Sequence, residues 1–318
     1  MTGPAARRLA VLGLLVPVGV VAPAGVRSLL MVMMVYAIFA MAYGLLLGHA
    51  NQPSLGQSIF FGVGAYGFIL PVLRLGLGFW ESLALALLAG AVAALVVGAL
   101  AVRVSEAYHV IFTALLASVA HLVAKNSTPL TGGSGGLPVD VPPVPLGPWT
   151  VTVYDPTTNY FLLLAAVALV YLGLERIVQA PLGRVWVAIR GNESRTAFLG
   201  YSVYGYKLAA FVLAGTLTAL SGALYAVRLR YASAEFFGFE WSVLPFVWGV
   251  LGGLRTLSGP ILGVALFTIF QYYVSGWWTY YLILFGLLIL VILRWLPHGV
   301  MGSLGRRAEG AGPSAGPA

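Results

Sequence analysis

Residues 181–211 read PLGRVWVAIRGNESRTAFLGYSVYGYKLAAF, and the organisation of the chain turns on this stretch. The sequence holds 17 Lys and Arg and 9 Asp and Glu in 318 residues. Seven of those charges fall between Glu175 and Lys207: Glu175, Arg176, Arg184, Arg190, Glu193, Arg195 and Lys207. The flanks, 156–174 and 208–227, contain no Asp, Glu, Lys or Arg. A polar island between two uncharged apolar runs reads as a loop held in water between two membrane spans. It is also the place where such a chain would meet a soluble partner.

Composition extends this reading to the whole molecule. Apolar residues make up 60% and charged residues 8%, and the mean hydropathy is +0.95, whereas about a quarter of a soluble domain is charged. The windows 28–73, 82–102 and 256–293 lack all four charged types. Each can hold at least one span of roughly 20 residues, the length that crosses the hydrocarbon core. The runs are continuous, so the spans are expected to be helical; a membrane barrel would alternate apolar and polar residues over ~10-residue segments. The expected fold is all-α, a polytopic transmembrane helical bundle of about 9–10 spans with interrupted helices. Candidate spans lie near 9–26, 29–48, 57–74, 81–102, 108–124, 159–175, 207–228, 241–252, 258–274 and 278–295.

Loop charge orients the chain. With the N-terminus inside, the inner segments hold Arg7, Arg8, Arg103, Arg176, Arg184, Arg190, Arg195, Lys207, Arg255, Arg294, Arg306 and Arg307. The outer segments hold Arg27, Arg74, Lys125, Arg228 and Arg230. Twelve against five favours both termini in the cytoplasm. Residues 1–302 then form a single transmembrane domain, with 126–158 an extracytoplasmic loop, 177–206 a cytoplasmic loop and 303–318 a disordered tail. A rival reading of the start exists. Arg7-Arg8, the run Leu9–Val21 and Ala22-Pro23-Ala24 resemble a signal peptide with its cleavage site, which would leave the downstream orientation unchanged.

The net charge of +8 does not point to nucleic acid, because the basic residues are scattered between apolar runs rather than gathered on one soluble face. With no cysteine there is no disulfide, thiolate metal site or cysteine nucleophile. The only lysines, Lys125 and Lys207, do not follow a glycine, so the phosphate loop of ATPases is missing. HExxH and GxSxG are also missing, and His49, His109, His121 and His298 have no metal-ligand spacing. His109 and His121 share a candidate helix and read as hydrogen-bonded helix histidines. No catalytic residue, cofactor or metal is expected. Glu106, Glu175 and Arg294 lie near span ends, leaving the membrane interior almost free of titratable groups. Energy therefore arrives from elsewhere, or conduction is passive.

Two segments interrupt the apolar sequence. His49–Gly56 reads HANQPSLG, and Gly252-Gly253 ends a short span before Ser258-Gly259-Pro260 begins the next. Interrupted helices in transporters mark backbone that lines a pathway; tight interhelical turns give the same spacing. Asn51, Gln52, Ser54 and Gln57 in the first, with Thr256 and Ser258 in the second, are the candidate substrate-pathway residues. Helix capping or interhelical hydrogen bonding would also explain them. Phe60, Phe61, Tyr66 and Trp248 could line a path or pack the core.

An ordered set of motifs resembles the permease subunits of branched-chain amino acid ABC importers, of the LivM type. Tyr43–Gly67 (YGLLLGHANQPSLGQSIFFGVGAYG) is similar to the family's first conserved block, and Thr131–Leu137 (TGGSGGL) to its TGG loop. The island and SGALYA at 221–226 resemble its GRxxxAIRENE region, and VLGGLRTLSGPILG at 250–263 with LVILRWLPHG at 290–299 its closing elements. Gln57, Gly191 and Arg255 depart from the pattern, as does AYHVIFTALLASVAHLV in the middle.

The resemblance implies partners: two cytoplasmic ATP-binding cassette ATPases, a homologous second permease, and a periplasmic or lipid-anchored binding protein, all at a bacterial inner membrane. It casts the island as the coupling helix, with Pro181 breaking the incoming span and a junction near Gly191-Asn192. Arg184, Arg190, Gly191, Asn192, Glu193 and Arg195 are then the ATPase-coupling residues. The alternative for the island is a solvated loop that only fixes topology. For the whole chain, the alternative is a stand-alone channel or facilitator for a small neutral solute such as urea or short amides.

Overall fold

The computed structural model describes residues 16–104, 106–146 and 149–277, and further on 280, 283–284, 286–287, 290, 294–295 and 299–301. The start of the first candidate span, much of the last one, His298 and the tail at 303–318 lie outside the described residues. Residues 16–21 are helical, and a break at Ala22-Pro23 precedes α1, Ala24–Tyr43. A π-helical turn, Gly44–His49, carries α1 on to a total of 26 residues. The remaining helices are α2 (Gln57–Leu75), α3 (Phe79–Ala101), α4 (Glu106–Asn126), α5 (Pro156–Gln179), α6 (Pro181–Gly191), α7 (Glu193–Phe198), α8 (Val203–Leu229), α9 (Phe239–Gly252) and α10 (Ser258–Val274). Among the described residues six helices are long and apolar enough to cross a membrane, and α9 and α10 are shorter apolar helices. The fold is the expected all-α polytopic bundle, with span ends shifted by a few residues from the sequence reading.

α8 is the axis of the bundle, packed chiefly against α2, α3 and α1. Apolar attraction does not drive helix association in lipid, so close backbone approach and interhelical hydrogen bonds must do so. Gly222 of α8 lies on the backbone of Phe61, and Gly64 of α2 lies on the backbone of Ala219; a Cβ at either would collide with a carbonyl oxygen. Three polar pairs reinforce the contact. Thr218 Oγ1 donates to Gln57 Oε1 at 3.0 Å, and Ser221 Oγ donates to the Val35 carbonyl at 2.8 Å. Ser242 Oγ accepts from Ser58 N–H at 3.0 Å and donates to Ser58 Oγ at 2.9 Å, tying α9 to α2. Aromatic rings fill the space between, with Phe61 stacked on Trp241 at 4.6 Å and Tyr36 on Trp248 at 4.9 Å. By contrast α3 and α4 turn rows of leucine, valine and isoleucine outward, as lipid-facing helices do.

The helix order fixes two ends. α8 has 27 residues and so is about 40 Å long. It starts beside α6 and α7 and finishes beside the start of α1, where Arg228 Nη2 meets Ser28 Oγ at 2.6 Å. At that far end the 126–158 loop folds down. Leu137–Pro138 pairs antiparallel with Tyr231–Ala232, and Val144–Leu146 with Trp149–Val151. Thr131, at the head of the TGG loop, is buried; its carbonyl accepts from the Tyr66 hydroxyl at 2.8 Å, and its hydroxyl donates to the Ala124 carbonyl at 2.5 Å.

Candidate functional site

Proline at 181 shapes the island. α5 runs through Gln179, Ala180 is extended (φ −69°, ψ 167°), and Pro181 opens α6 at its first position, where a missing N–H costs nothing. The close approach of Gly183 to the Val178 backbone makes the corner tight. α6 buries Val185, Trp186 and Ile189 on one face, and the Trp186 indole donates to the Tyr206 carbonyl at 2.8 Å. The expected junction falls at Asn192, which is extended (φ −164°). Its side chain caps α7 by accepting from Arg195 N–H at 2.9 Å.

The six candidate coupling residues differ in where their side chains go. Arg184, Gly191, Asn192 and Arg195 are exposed, and with Val187, Phe198 (91% exposed) and Leu199 (76%) they form an outward face of mixed apolar and cationic character. Arg190 is half-buried, and Glu193, though exposed, pairs inward with Lys207. The Arg190 guanidinium donates to the carbonyl of Gly48, the last turn of the π-helix, where a cation complements the orphan carbonyls and the helix dipole. Burial, and after it the charge of Arg255, lowers the Arg190 pKa from its ordinary value. Glu193 pairs with the Lys207 ammonium, whose side chain is 13% exposed. The backbone carbonyl of the same Lys207 accepts from Gln52 Nε2 at 3.0 Å. Both inward contacts therefore end on the 44–56 segment.

That segment is a buried connection. Ala50 N–H reaches back five residues to the Leu45 carbonyl, and Asn51 takes a left-handed conformation at φ 51°. Gln52, Ser54 and Gln57 are buried, and Asn51 is half-buried. Gln57 bonds to Thr218 as described, and Ser54 Oγ accepts from Gly56 N–H at 3.2 Å. Gly56 and Gln57 lead into α2 against Thr113, whose hydroxyl accepts from Leu55 N–H at 3.1 Å. The second interruption lies alongside. Gly48 packs on the Leu254 carbonyl and Gly44 on the Pro260 ring. Within it, Thr256 is exposed and its hydroxyl accepts from Gly259 N–H at 3.1 Å, while Ser258 is half-buried at the start of α10. The structure thus brings the two predicted segments together. It gives Ser54, Gln57 and Thr256 hydrogen bonds that serve packing or capping.

The helix histidines are hydrogen-bonded: His109 Nδ1 lies 2.8 Å from the Ala101 carbonyl and His121 Nδ1 3.0 Å from that of Ala234. Sequence reading passed over Trp186, which holds α6 to α8, and Lys207 as the relay between α7 and Gln52. A signal for Trp186 existed in the spacing of Val185, Trp186 and Ile189 on one helical face. For Lys207 none did, because its two partners lie 14 and 155 residues before it.

Comparison with known proteins bears on the whole arrangement. The family model described as branched-chain amino acid transport system / permease component matches residues 25–293. The protein named high-affinity branched-chain amino acid transport system permease protein LivM from Salmonella typhimurium is 30% identical over 289 residues, covering 84% of this chain and 68% of that protein. Its counterpart of the same name from Escherichia coli K12 gives the same identity and coverage. A probable branched-chain amino acid transport permease protein LivM from Methanocaldococcus jannaschii is 31% identical over 150 residues, 42% of this chain and 43% of that protein. No solved structure gave a significant match.

Proposed function

The chain belongs to the branched-chain amino acid transport system permease family, and from that premise we propose that it is the membrane subunit of an ATP-driven importer for branched-chain or other hydrophobic amino acids. It is a multi-pass membrane transport protein. In the proposal its α6–α7 end faces the cytoplasm and docks an ATP-binding cassette ATPase. A homologous permease completes the membrane part with a second ATPase, and an extracytoplasmic binding protein delivers the solute to the opposite end.

One observation carries this reading: the exposed face of α6–α7 backs onto the helix interruption through two polar ties. A push on Arg184, Arg195 and Phe198 is transmitted by a helix pair held rigid by Trp186. It reaches Gly48 through Arg190, and Gln52 through Glu193 and Lys207. The π-turn is the deformable element on the receiving side, since such i→i+5 turns are rare interruptions of α-helices that recur at functional sites. Movement there shifts the joint between α1 and α2 and the neighbouring α9–α10 break, so nucleotide-driven motion becomes a change of access. The scarcity of titratable groups inside the spans fits energy supplied by another subunit.

The test is purification with the neighbouring ATPase, permease and binding-protein subunits, followed by ATPase measurement over amino acids, amides and urea. Stimulation by branched-chain amino acids is the expected result. Solute uptake by vesicles holding this chain alone, without ATP, would identify a facilitator instead.

A further inference from the structure

The far end of the bundle holds a cavity of about 180 Å³, several times a water molecule's ~30 Å³ share of the liquid. It lies between the last turn of α8, the first turn of α5 and the start of α1, on the opposite end from α6–α7. Two polar groups on its wall lack partners. Asn159, 7% exposed, has its carboxamide oxygen buried without a hydrogen bond, and the Arg228 Nε–H is buried without an acceptor. Nη2, on the same edge of that guanidinium, is held by Ser28, through its hydroxyl at 2.6 Å and its carbonyl at 3.2 Å. Arg228 is thus fixed in place with its Nε–H left to donate, and no carboxylate among the described residues lies within ion-pair distance of it.

The adjoining acids are already engaged. Asp140 accepts from the Tyr154 hydroxyl at 3.1 Å, and Asp155 caps α5 by accepting from Thr158 N–H. An ionisable side chain near a membrane end without a protein counter-ion points to a ligand that supplies one. Met31, Val141, Val153 and Val227 form a buried apolar part of the wall, and Tyr154 and Pro156 stand exposed at its rim. Arg230, held over the Tyr154 ring at 5.1 Å, stands at the same cavity.

We propose that this cavity is a subsite for a zwitterionic α-amino acid with an aliphatic side chain, its carboxylate on Arg228, its ammonium on Asn159 Oδ1 and its side chain against the valines and Met31. A guanidinium N–H donates a charge-assisted hydrogen bond to a carboxylate. A buried carbonyl-type oxygen needs a donor, which an ammonium group supplies. An amide or urea offers no carboxylate to Arg228, so the site selects against the small neutral solutes. This inference rests on the reading of the chain as an amino-acid permease subunit and gives that permease an entry station of its own, separate from any binding protein.

The test uses the full chain purified with its co-assembling subunits in lipid nanodiscs, without binding protein, and measures equilibrium binding of radiolabelled L-leucine. Leucinamide lacks the carboxylate and 4-methylpentanoate lacks the ammonium; both should compete at least ten-fold more weakly than leucine. Asn159→Leu should weaken leucine at least ten-fold, leave 4-methylpentanoate unchanged and keep the melting temperature, since it removes an unpartnered buried polar atom. Arg228→Gln should weaken leucine to a similar degree and leave leucinamide unchanged. Wild-type leucine affinity in Asn159→Leu would overturn the proposal, as would equal losses for all three compounds. ATP-driven uptake in proteoliposomes separates the two levels. If the unaltered assembly carries no amino acid, the permease reading fails. If it does and both variants keep its KM, only the subsite fails.

Discussion

Replacing Arg190 by Met keeps a shorter unbranched apolar stem but removes the donor to Gly48. A hydrogen bond made by a charged group contributes about 1.5–3 kcal/mol, and a cation at a helix C-terminus falls in the same range when partly buried. The two descriptions concern one contact, so about 2 kcal/mol is the expected loss. At 1.4 kcal/mol per factor of ten, that weakens the link between α6 and the π-turn by about 30-fold. The outward face, with Arg184, Arg195 and Phe198, is untouched. ATPase subunits should therefore still co-purify and still hydrolyse ATP, while amino acid carried per ATP falls, by up to the same 30-fold. The assay is paired measurement of uptake and phosphate release in proteoliposomes, with Arg184→Met, which should weaken ATPase docking instead, as the contrast. Full transport stoichiometry in Arg190→Met would refute the reasoning, and so would loss of ATPase binding, which would make Arg190 a docking residue.

Other outcomes follow from the same contacts. Glu193→Gln removes a pair that is part exposed, so its cost should be about 1 kcal/mol, and combined with Arg190→Met it should lower coupling further without unfolding the chain. Gly191→Ala should be tolerated or stabilising by up to about 1 kcal/mol in thermal melts, because a Cβ there meets open space; transport lost in that variant would belong to the partner contact. Gly222→Leu should abolish accumulation of folded protein on size-exclusion chromatography, since its side chain would enter the Phe61 backbone. Asp155 caps α5, and the Thr158 hydroxyl, followed by its N–H, lowers its carboxyl pKa. A depressed pKa means the cap's contribution is complete above the ordinary carboxylate value near 4 and is lost as pH falls through the lower folded value. Asp155→Ala should accordingly lower the melting temperature at pH 7 and erase that part of its acid dependence.

Much of the fold could be read from charge alone. The uncharged windows gave the spans, Pro181 gave the break before α6, and the Asn192 junction fell where glycine and a capping residue adjoin. The division of the island into inward and outward groups was not legible. Arg190 and Glu193 look like the other charges in sequence, and only the packing of α6 and α7 on the bundle brings one to Gly48 and the other to Lys207. That Asn159 and Arg228 line one cavity was hidden for a related reason. Those residues lie in different spans, and each alone looks like an ordinary polar residue at a helix end. Contacts of that kind depend on how helices pack, and a periodic pattern carries no record of the partner's register.

Because the chain has no cysteine, Arg195→Cys creates a single reactive site on the outward face of α7. Cross-linking it to the ATPase subunit in the assembled complex, with Tyr154→Cys at the opposite end as reference, tests the coupling role of the island most directly. Arg195→Cys should cross-link and lose uptake on doing so, while Tyr154→Cys should not cross-link to the ATPase. A modified Arg195→Cys protein that forms no cross-link, keeps its ATPase bound and transports at the unmodified rate would contradict it.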